Sequence, residues 1–285
     1  MKPAAFDYHA PATLEEALAD LAMAGADGKV LAGGQSLIPL LNMRLAAPGH
    51  LVDINGVAGL DSITVTPEGV RVGALARHAA VLADDEVAGA QPLLRMALRH
   101  VAHPVIRNRG TAVGSLVHAD PAAELPAVLA LLGGTVEVAS ANGRREVPAG
   151  EFFVGPLESA LATSEMAVSA FFPALPRRAG TAFAEVTRRH GDYALVGAGA
   201  VVVLDDDHRI TGARVGYLSV AGTPLVLDLT KAAGQGDWAA AAEHARDLVE
   251  PEGDIHAGAG YRRELVHVLT ERVLRDAAKA GGFGG

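Results

Sequence analysis

The sequence predicts an α+β protein built from three consecutive units. Up to about residue 56, short apolar runs alternate with helical patterns in a β-α-β order, which is typical of a small parallel sheet. From residue 57 to about 175, strand-like alternation is interspersed with helical segments. Beyond the proline near residue 176, three alternating runs followed by two helical patterns predict an antiparallel sheet with helices. We therefore expect units at 1–56, 57–175 and 176–285.

The first unit opens on a helix signal. Thr13-Leu14-Glu15-Glu16 matches a capping box, and apolar residues follow at helical spacing. The pattern then predicts a strand over 29–32, a helix from Ser36 to about residue 45, and a strand over 51–54. This order gives two parallel strands joined by a crossover helix.

The second and third units contain the antiparallel sheets. In the second unit the pattern predicts two strands within 63–75, separated by the turn Pro67-Glu68-Gly69, and further strands over 135–139, 144–147 and 166–172. It also predicts helices over 79–82, 92–101 and up to 131. In the third unit it predicts strands over 181–187, 194–204 and 210–220, then helices over 237–248 and 261–279. We expect the glycine-rich end, Gly281–Gly285, to fray.

Composition narrows the classes of function. The 285 residues carry a formal charge of −9 without basic clusters, so a nucleic-acid partner is not expected. No apolar run is long enough to insert in a membrane, and a cytoplasmic location is the default expectation. The chain has no cysteine, which excludes disulfides and cysteine-ligated iron–sulfur clusters on it. His100 and His103 are one helical turn apart, but a solvated or hydrogen-bonded pair is the favoured interpretation.

A first glycine turn, at Gly33-Gly34, stands between the strand and the helix of the first unit. Glycine permits positive φ and close backbone approach, and the start of the helix offers unpaired N–H groups, with Ser36 as the predicted N-cap. The turn therefore predicts an anion site, although a tight αβ connection is the alternative. The chain lacks GxGxxG and GxxxxGK[ST], so neither standard nucleotide motif is present.

A second glycine turn, Arg109–Ser115, is expected at the end of an extended segment. Thr111 and Ser115 offer hydroxyl donors, and Gly110 and Gly114 permit close approach. Two such turns in adjoining units suit a diphosphate held in the cleft between them.

Two carboxylates follow the second turn. Asp120 and Glu124 are spaced i, i+4 and would share one face of a helix, where they could accept hydrogen bonds from ribose hydroxyls or an adenine amino group. Alternatively, Asp120 is the N-cap of the helix and Glu124 a first-turn partner of its dipole. Both interpretations stay open.

Six separated motifs, in order, resemble the FAD-binding medium subunits of the molybdenum hydroxylases, the family of xanthine dehydrogenase, carbon monoxide dehydrogenase and N-heterocycle hydroxylases. The resemblance covers essentially the whole chain. The motifs are Ala32-Gly33-Gly34-Gln35-Ser36, Arg107–Ser115, His118–Pro126, Phe152-Phe153 with Gly155, Arg188–Ala194 and Tyr261-Arg262-Arg263. The fold implied is a p-cresol methylhydroxylase-type FAD-binding domain of two α/β subdomains, followed by a C-terminal antiparallel sheet with helices.

The resemblance also implies the residues that hold the cofactor. The diphosphate would be cradled by the first turn and held from the opposite side by the second: Ala32, Gly33, Gly34, Gln35, Ser36, Leu37, Thr111, Gly114 and Ser115. Asp120 and Glu124 would fix the ribose–adenine half, Leu161 would pack near adenine, and Tyr193 would lie near the isoalloxazine. Leu161 as ordinary core and Tyr193 as a sheet aromatic are the competing interpretations.

One position departs from the family pattern. Val113 stands where the family usually has the first of two glycines. A β-branched side chain there either turns away from the ligand or crowds the diphosphate.

The resemblance implies a role in electron transfer. FAD on this chain would accept electrons from the [2Fe–2S] clusters of a small subunit and pass them to an external acceptor, while a large subunit holds the molybdenum cofactor. The assembly implied is a dimer of heterotrimers. The alternatives are a stand-alone flavin oxidoreductase and an FAD-free assembly scaffold in which Val113 has abolished binding. No catalytic acid, base, nucleophile or metal ligand is expected on the chain.

Overall fold

The computed structural model describes residues 2–283, and these begin with a three-stranded parallel sheet. Its order is β1-β3-β2, so the β-α-β prediction is confirmed, with an additional edge strand, β1, that the sequence pattern did not indicate. The elements are β1 (Asp7–His9), α1 (Leu14–Ala24), β2 (Gly28–Leu31), α2 (Leu37–Met43) and β3 (His50–Asp53).

Helix α1 begins at the predicted capping box. The Thr13 hydroxyl accepts from the Glu16 N–H at 3.2 Å, and the Glu16 carboxylate accepts from the Thr13 N–H at 3.2 Å. The helix buries Ala17, Leu18 and Leu21 beneath the sheet. The sequence predicted this helix correctly because the capping box marks its first residue, and the apolar residues that follow at helical spacing mark its buried face.

The second unit is a five-stranded antiparallel sheet, in the order β4-β5-β10-β6-β7, packed against helices. Four short helices were not predicted: Asp85–Ala90, Pro104–Arg107, Ala112–His118 and Ala149–Phe152. The second of these replaces the extended segment expected before the second glycine turn. The elements are β4 (Ile63–Thr66), β5 (Gly69–Gly73), α3 (His78–Ala83), α4 (Asp85–Ala90), α5 (Pro92–Leu98), α6 (Pro104–Arg107), α7 (Ala112–His118), α8 (Glu124–Leu132), β6 (Thr135–Ser140), β7 (Gly143–Pro148), α9 (Ala149–Phe152), β8 (Phe153–Gly155), β9 (Glu158–Ser159) and β10 (Met166–Pro173).

The third unit is a four-stranded antiparallel sheet in sequential order, covered by long helices. Its elements are β11 (Ala179–Val186), β12 (Val196–Leu204), β13 (Ile210–Leu218), β14 (Leu225–Asp228), α10 (Thr230–Ala233), α11 (Trp238–Leu248) and α12 (Ala259–Ala280). The expected fraying is wrong as far as Phe283, because that ring packs on Trp238 with centroids 6.0 Å apart. Gly284 and Gly285 lie outside the described residues.

Helix α8 joins the second unit to the third. A Cβ on Gly216 of β13 would lie 2.9 Å from the Cβ of Leu131, so the absence of a side chain lets the sheet approach the helix. The Ser219 N–H also donates to the Pro121 carbonyl at 2.8 Å. The Ser219 contact places the start of the β13–β14 loop beside the α7–α8 connection, and the Ser219 hydroxyl donates to the Ala194 carbonyl of the β11–β12 loop at 2.7 Å. The α+β fold class is confirmed, and the boundaries near 56 and 176 stay predictions.

Within residues 2–283, no helix combines the length and apolar character that crossing a membrane requires.

Candidate functional site

The first glycine turn leaves a row of backbone donors free. Gly34 takes a φ of +72°, and the Gln35 amide donates to the Gly33 carbonyl at 3.0 Å. The Ile38 N–H returns to the Gly34 carbonyl at 3.0 Å and starts α2. Within residues 2–283, the five backbone N–H groups of 33–37 donate to no protein acceptor. A run of unpaired N–H groups is the arrangement that binds phosphate oxygens.

Ser36 does not cap α2 through its side chain. It occupies the N-cap position as predicted, but its backbone is helical (φ −97°, ψ −44°) and no side-chain capping bond forms within the described residues. A helical backbone turns the hydroxyl away from the N–H groups of the first turn, because capping needs extended backbone angles.

The two glycine turns touch each other. A Cβ on Gly33 would stand 2.4 Å from the Arg109 carbonyl oxygen and 2.8 Å from the Gly110 Cα. Both obstacles are backbone atoms, so only glycine fits at position 33 without moving a turn. The turns predicted from separate units therefore face one another, as the diphosphate hypothesis requires.

In the second turn, three backbone N–H groups already donate to acceptors within the protein. Thr111 is the N-cap of α7, and its hydroxyl oxygen accepts from the Gly114 N–H at 3.0 Å. The Ser115 N–H donates to the Thr111 carbonyl at 3.1 Å, and the Ala112 N–H to Ala76 at 3.0 Å. The second turn therefore offers a ligand the hydroxyl protons of its side chains more than its backbone.

Val113 turns away from the facing turns. Its side chain is 2% exposed and belongs to the hydrophobic core of the second unit. The sequence analysis expected Val113 either to turn its side chain away from the ligand or to crowd the diphosphate. In the structure the side chain turns away and does not crowd the cleft.

His78, which the sequence analysis missed, contacts the second turn through both its side chain and its backbone. Its Nε2 lies 3.0 Å from the Ser115 Oγ, and its backbone N–H donates to the Gly110 carbonyl at 2.9 Å. Burial lowers the pKa of His78 to about 4, so the ring is neutral near pH 7. A histidine on the face of a short helix carries no sequence signal that separates this role from ordinary packing.

Asp120 and Glu124 do not share a helical face, which corrects the sequence expectation. Helix α7 ends at His118, and Ala119 takes a left-handed φ of +51° before the chain reaches Pro121. Asp120 lies in the connecting turn, because a residue before proline avoids helical angles. Its carboxylate accepts from the Ala122 N–H at 2.8 Å, so it is not the N-cap of α8 either; that position is Ala123.

Glu124 begins α8 in an acidic environment. Burial, then the nearby Glu185 and Asp120 carboxylates, raise the pKa of Glu124 to about 8. Its carboxyl therefore carries a proton near neutral pH and can donate a hydrogen bond. Glu185 itself is nearly buried on β11, with Oε1 3.2 Å from the His100 Nδ1.

Tyr193 projects from the β11–β12 loop and is 72% exposed. Partial desolvation of its hydroxyl, then the charges of Asp120 and Glu124, raise its pKa above the ordinary value. The structure thus brings Tyr193 together with the two carboxylates. Leu161 is partly buried against the core of the second unit, which supports its packing interpretation and leaves the adenine contact a prediction.

Two guanidinium groups border the turns. Desolvation, then repulsion from Arg109, lower the pKa of Arg77. A bound diphosphate would relieve that repulsion, because its charge is opposite. Among residues 2–283, no cluster of three or more histidines and carboxylates could hold a metal ion.

Two glycine turns in contact, one of them with backbone N–H groups that find no acceptor among residues 2–283, are the arrangement expected of a dinucleotide-binding protein. Residues 4–175 match the family described as FAD binding domain in molybdopterin dehydrogenase, and 181–277 match the CO dehydrogenase flavoprotein C-terminal domain. The chain belongs to the FAD-binding medium subunits of the molybdenum hydroxylases, as the sequence motifs indicated.

Individual relatives match along nearly their full length. The chain is 41% identical to the 6-hydroxypseudooxynicotine dehydrogenase complex subunit alpha of Paenarthrobacter nicotinovorans, covering 97% of this chain and 96% of that one. Quinoline 2-oxidoreductase of Pseudomonas putida 86 superposes with a TM-score of 0.91 at 38% identity, covering 99% of both chains. Carbon monoxide dehydrogenase of Hydrogenophaga pseudoflava gives a TM-score of 0.92 at 33% identity, covering 98% of this chain and 99% of that one.

Proposed function

We propose that this chain holds noncovalent FAD as the electron-transfer subunit of a heterotrimeric molybdenum hydroxylase. FAD would supply the redox chemistry between the [2Fe–2S] clusters of a small subunit and an external acceptor. A large subunit would bind the substrate and the molybdenum cofactor. The dimer of heterotrimers and the cytoplasmic location belong to this proposal as expectations from the sequence.

The observation that carries the proposal is the row of five N–H groups that find no acceptor among residues 2–283, in a turn that packs against the second turn at Gly33. We assign the diphosphate to the backbone of Ala32–Leu37 and to the Thr111 and Ser115 hydroxyls. The Gly114 N–H already donates to the Thr111 hydroxyl oxygen, so Gly114 would contribute only by allowing the ligand to approach closely. Gly33 is buried and residues 34–37 are half-buried. Five consecutive N–H groups at the start of a helix, without an acceptor among residues 2–283, favour an anionic ligand.

The carboxyl groups would recognise the remainder of the cofactor. Asp120 accepts hydrogen bonds, and the protonated Glu124 can also donate one, which suits the hydroxyl and amino groups of a ribose–adenine half. Tyr193 would offer a ring face to the isoalloxazine from the third unit, and Leu161 an apolar contact to adenine.

Two further facts support the partner assignment. The chain has no cysteine, so cysteine-ligated clusters would sit on other polypeptides. A relative 39% identical over 97% of the chain is named as the medium subunit of nicotine 6-hydroxylase.

The first test is the flavin content of the purified full-length chain. We expect the visible absorption bands of oxidised flavin, and release of intact FAD on acid denaturation because no covalent bond holds it. A colourless chain that gains no flavin on incubation with FAD would overturn the proposal and favour the scaffold alternative.

The second test is the set of polypeptides that copurify with the chain. We expect a much larger subunit that carries molybdenum and a small iron–sulfur subunit. Turnover of a reducing substrate by the isolated chain, without these partners, would instead favour a stand-alone flavin oxidoreductase.

A further inference from the structure

Two side chains connect the glycine turns outside their point of contact. Arg77, which follows β5, donates through Nη1 to the Arg109 carbonyl at 2.6 Å and through Nη2 to the Asn55 Oδ1 at 2.6 Å. Asn55, which follows β3, donates through Nδ2 to the Ala32 carbonyl at 2.8 Å. The pair, called here the Asn55–Arg77 brace, therefore bonds to one carbonyl in each turn.

Arg77 is suited to this bridge by the shape of its side chain. The guanidinium is a rigid fork, so two donors reach two acceptors that belong to different units of the fold. Charge-assisted hydrogen bonds of this length are among the stronger ones in proteins. The arginine is held there although desolvation and Arg109 oppose its charge.

Asn55 is itself fixed in orientation. The Asp53 Oδ1 accepts from the Asn55 N–H at 3.0 Å and from its Nδ2 at 2.6 Å, and the Asp53 Oδ2 accepts from the Tyr8 hydroxyl at 2.6 Å. The amide nitrogen of Asn55 therefore points to the carboxylate and to Ala32, and its oxygen points to Arg77. This is the orientation that the brace requires.

We propose that Asn55 and Arg77 are positioning residues that set the separation and register of the two turns for a diphosphate. The inference rests on the proposed FAD site. Because Gly33 has no side chain, the two turns can touch. The Asn55–Arg77 brace links a residue that follows the parallel sheet to a residue of the second unit, so it prevents one turn from sliding past the other. Neither residue needs to contact the ligand for this role, since the Arg77 Nη1 and Nη2 and the Asn55 Nδ2 already donate to oxygen atoms of the protein.

The experiment compares FAD dissociation constants of full-length apoprotein variants, measured by quenching of flavin fluorescence. Asn55→Ala and Arg77→Ala should each weaken FAD binding by about tenfold, and the double variant should be no weaker than the worse single one, because either change breaks the same bridge. The affinity for ADP, measured by competition, should fall by the same factor because ADP shares the diphosphate. Arg177→Ala, which removes an exposed guanidinium elsewhere, is the matched control and should bind FAD like the parent chain.

Two conservative variants test whether FAD affinity depends on the bridge itself, rather than on the charge of Arg77 or on correct folding. Arg77→Lys keeps the charge but cannot reach both acceptors, so it should not restore affinity. Asn55→Asp keeps the acceptor for Arg77 but loses the donors to Ala32 and to the Asp53 carboxylate, and it places a second carboxylate against Asp53. It should therefore bind FAD at least as weakly as Asn55→Ala, with the fold checked by circular dichroism.

Several outcomes would overturn the brace while leaving the FAD site intact. These are parent-like FAD affinity in the folded Asn55→Asp and Arg77→Lys variants, or additive losses in the double variant. Failure of the parent chain to bind FAD is a different result, and it would reject the proposed function itself.

Discussion

The two glycine turns of this chain look alike in sequence but differ in what they offer a ligand. In the first turn, five consecutive N–H groups have no acceptor in the part of the chain that the structure describes, and Gly33 stands against the backbone of the opposite turn. In the second, Thr111 accepts from the helix start, and Val113 is part of the core. The first turn therefore presents backbone N–H donors to a ligand, and the second turn presents side-chain hydroxyl groups. A glycine is essential only where its missing side chain faces backbone.

The largest effect should come from adding one methyl group to the first turn. In Gly33→Ala the new Cβ meets backbone atoms at 2.4 and 2.8 Å, so the turns must separate. We expect FAD affinity to fall by about 100-fold, which corresponds to the roughly 3 kcal/mol upper range of overpacking. Equilibrium titration with FAD measures this.

Gly89→Ala is the matched control for that change. A Cβ at Gly89 in α4 meets nothing within 4 Å, so this variant should keep parent affinity and gain about 0.5–1 kcal/mol of stability. If Gly33→Ala binds FAD as tightly as Gly89→Ala, the contact between the turns is irrelevant to the ligand.

Val113→Gly tests the second turn from the opposite direction. The change removes a buried side chain and adds a helical glycine, so we expect a loss of about 3 kcal/mol in the free energy of unfolding, measured in urea. FAD affinity of the folded variant should stay within about twofold of the parent. A large gain in affinity would mean that Val113 crowds the diphosphate after all.

Glu124 gives a prediction in pH. The folded-state pKa of about 8 exceeds the ordinary value of 4.5, so the folded protein binds an extra proton between these pH values. Stability contributed by the protonated form is complete below about pH 4.5 and is lost as pH rises toward 8. Relative to Glu124→Gln, the parent apoprotein should therefore lose a few kcal/mol of stability over that interval, as followed by urea unfolding.

The exposed Glu151 provides the control for the pH experiment. Glu151→Gln removes a carboxyl group from an exposed position, so its curve of stability against pH shows what the loss of a carboxyl group does by itself. Parallel curves for Glu124→Gln and the parent would contradict the raised pKa of Glu124.

The smallest effect is expected for Gly114→Ala, the counterpart of Gly33→Ala in the second turn. The new Cβ would meet the Thr111 Oγ1 at 2.5 Å, but that atom belongs to a side chain that can rotate, and the next contact is at 3.8 Å. We expect a loss of about 1 kcal/mol in stability from the weakened cap and a fall of only a few-fold in FAD affinity. An effect as large as that of Gly33→Ala would remove the distinction between the turns.

Local signals predicted most of the fold. The capping box at Thr13 and the alternation of β12 and β13 each specify an element without reference to the rest of the chain. Strands β1 and β14 were missed because their place depends on pairing with β3 and β13. β2 and β4 are as short as β14, but a glycine turn or a Pro-Glu-Gly turn follows each of them and marks the strand in the sequence.

The site was predictable in part. Glycines at Gly33 and Gly114 and hydroxyls at Thr111 and Ser115 carry recognisable chemistry at a turn. The pairing of Asp120 with Glu124 on one face was wrong, because Pro121 interrupts the helix that the spacing assumed.

Asn55 and Arg77 were missed because their partners are carbonyl groups more than twenty residues away. One signal for Asn55 was available: the carboxyl ends of adjacent parallel strands meet at one edge, which brings the end of β3 beside the end of β2.

The central claim is that the backbone of the first turn and the hydroxyls of the second hold one diphosphate between them, and a crystal structure of the chain with FAD tests it most directly. We expect phosphate oxygens about 2.7–3.2 Å from backbone nitrogens of residues 33–37, with the Thr111 or Ser115 hydroxyl on the opposite side. FAD bound elsewhere, or a diphosphate in contact with only one of the two turns, would contradict the account.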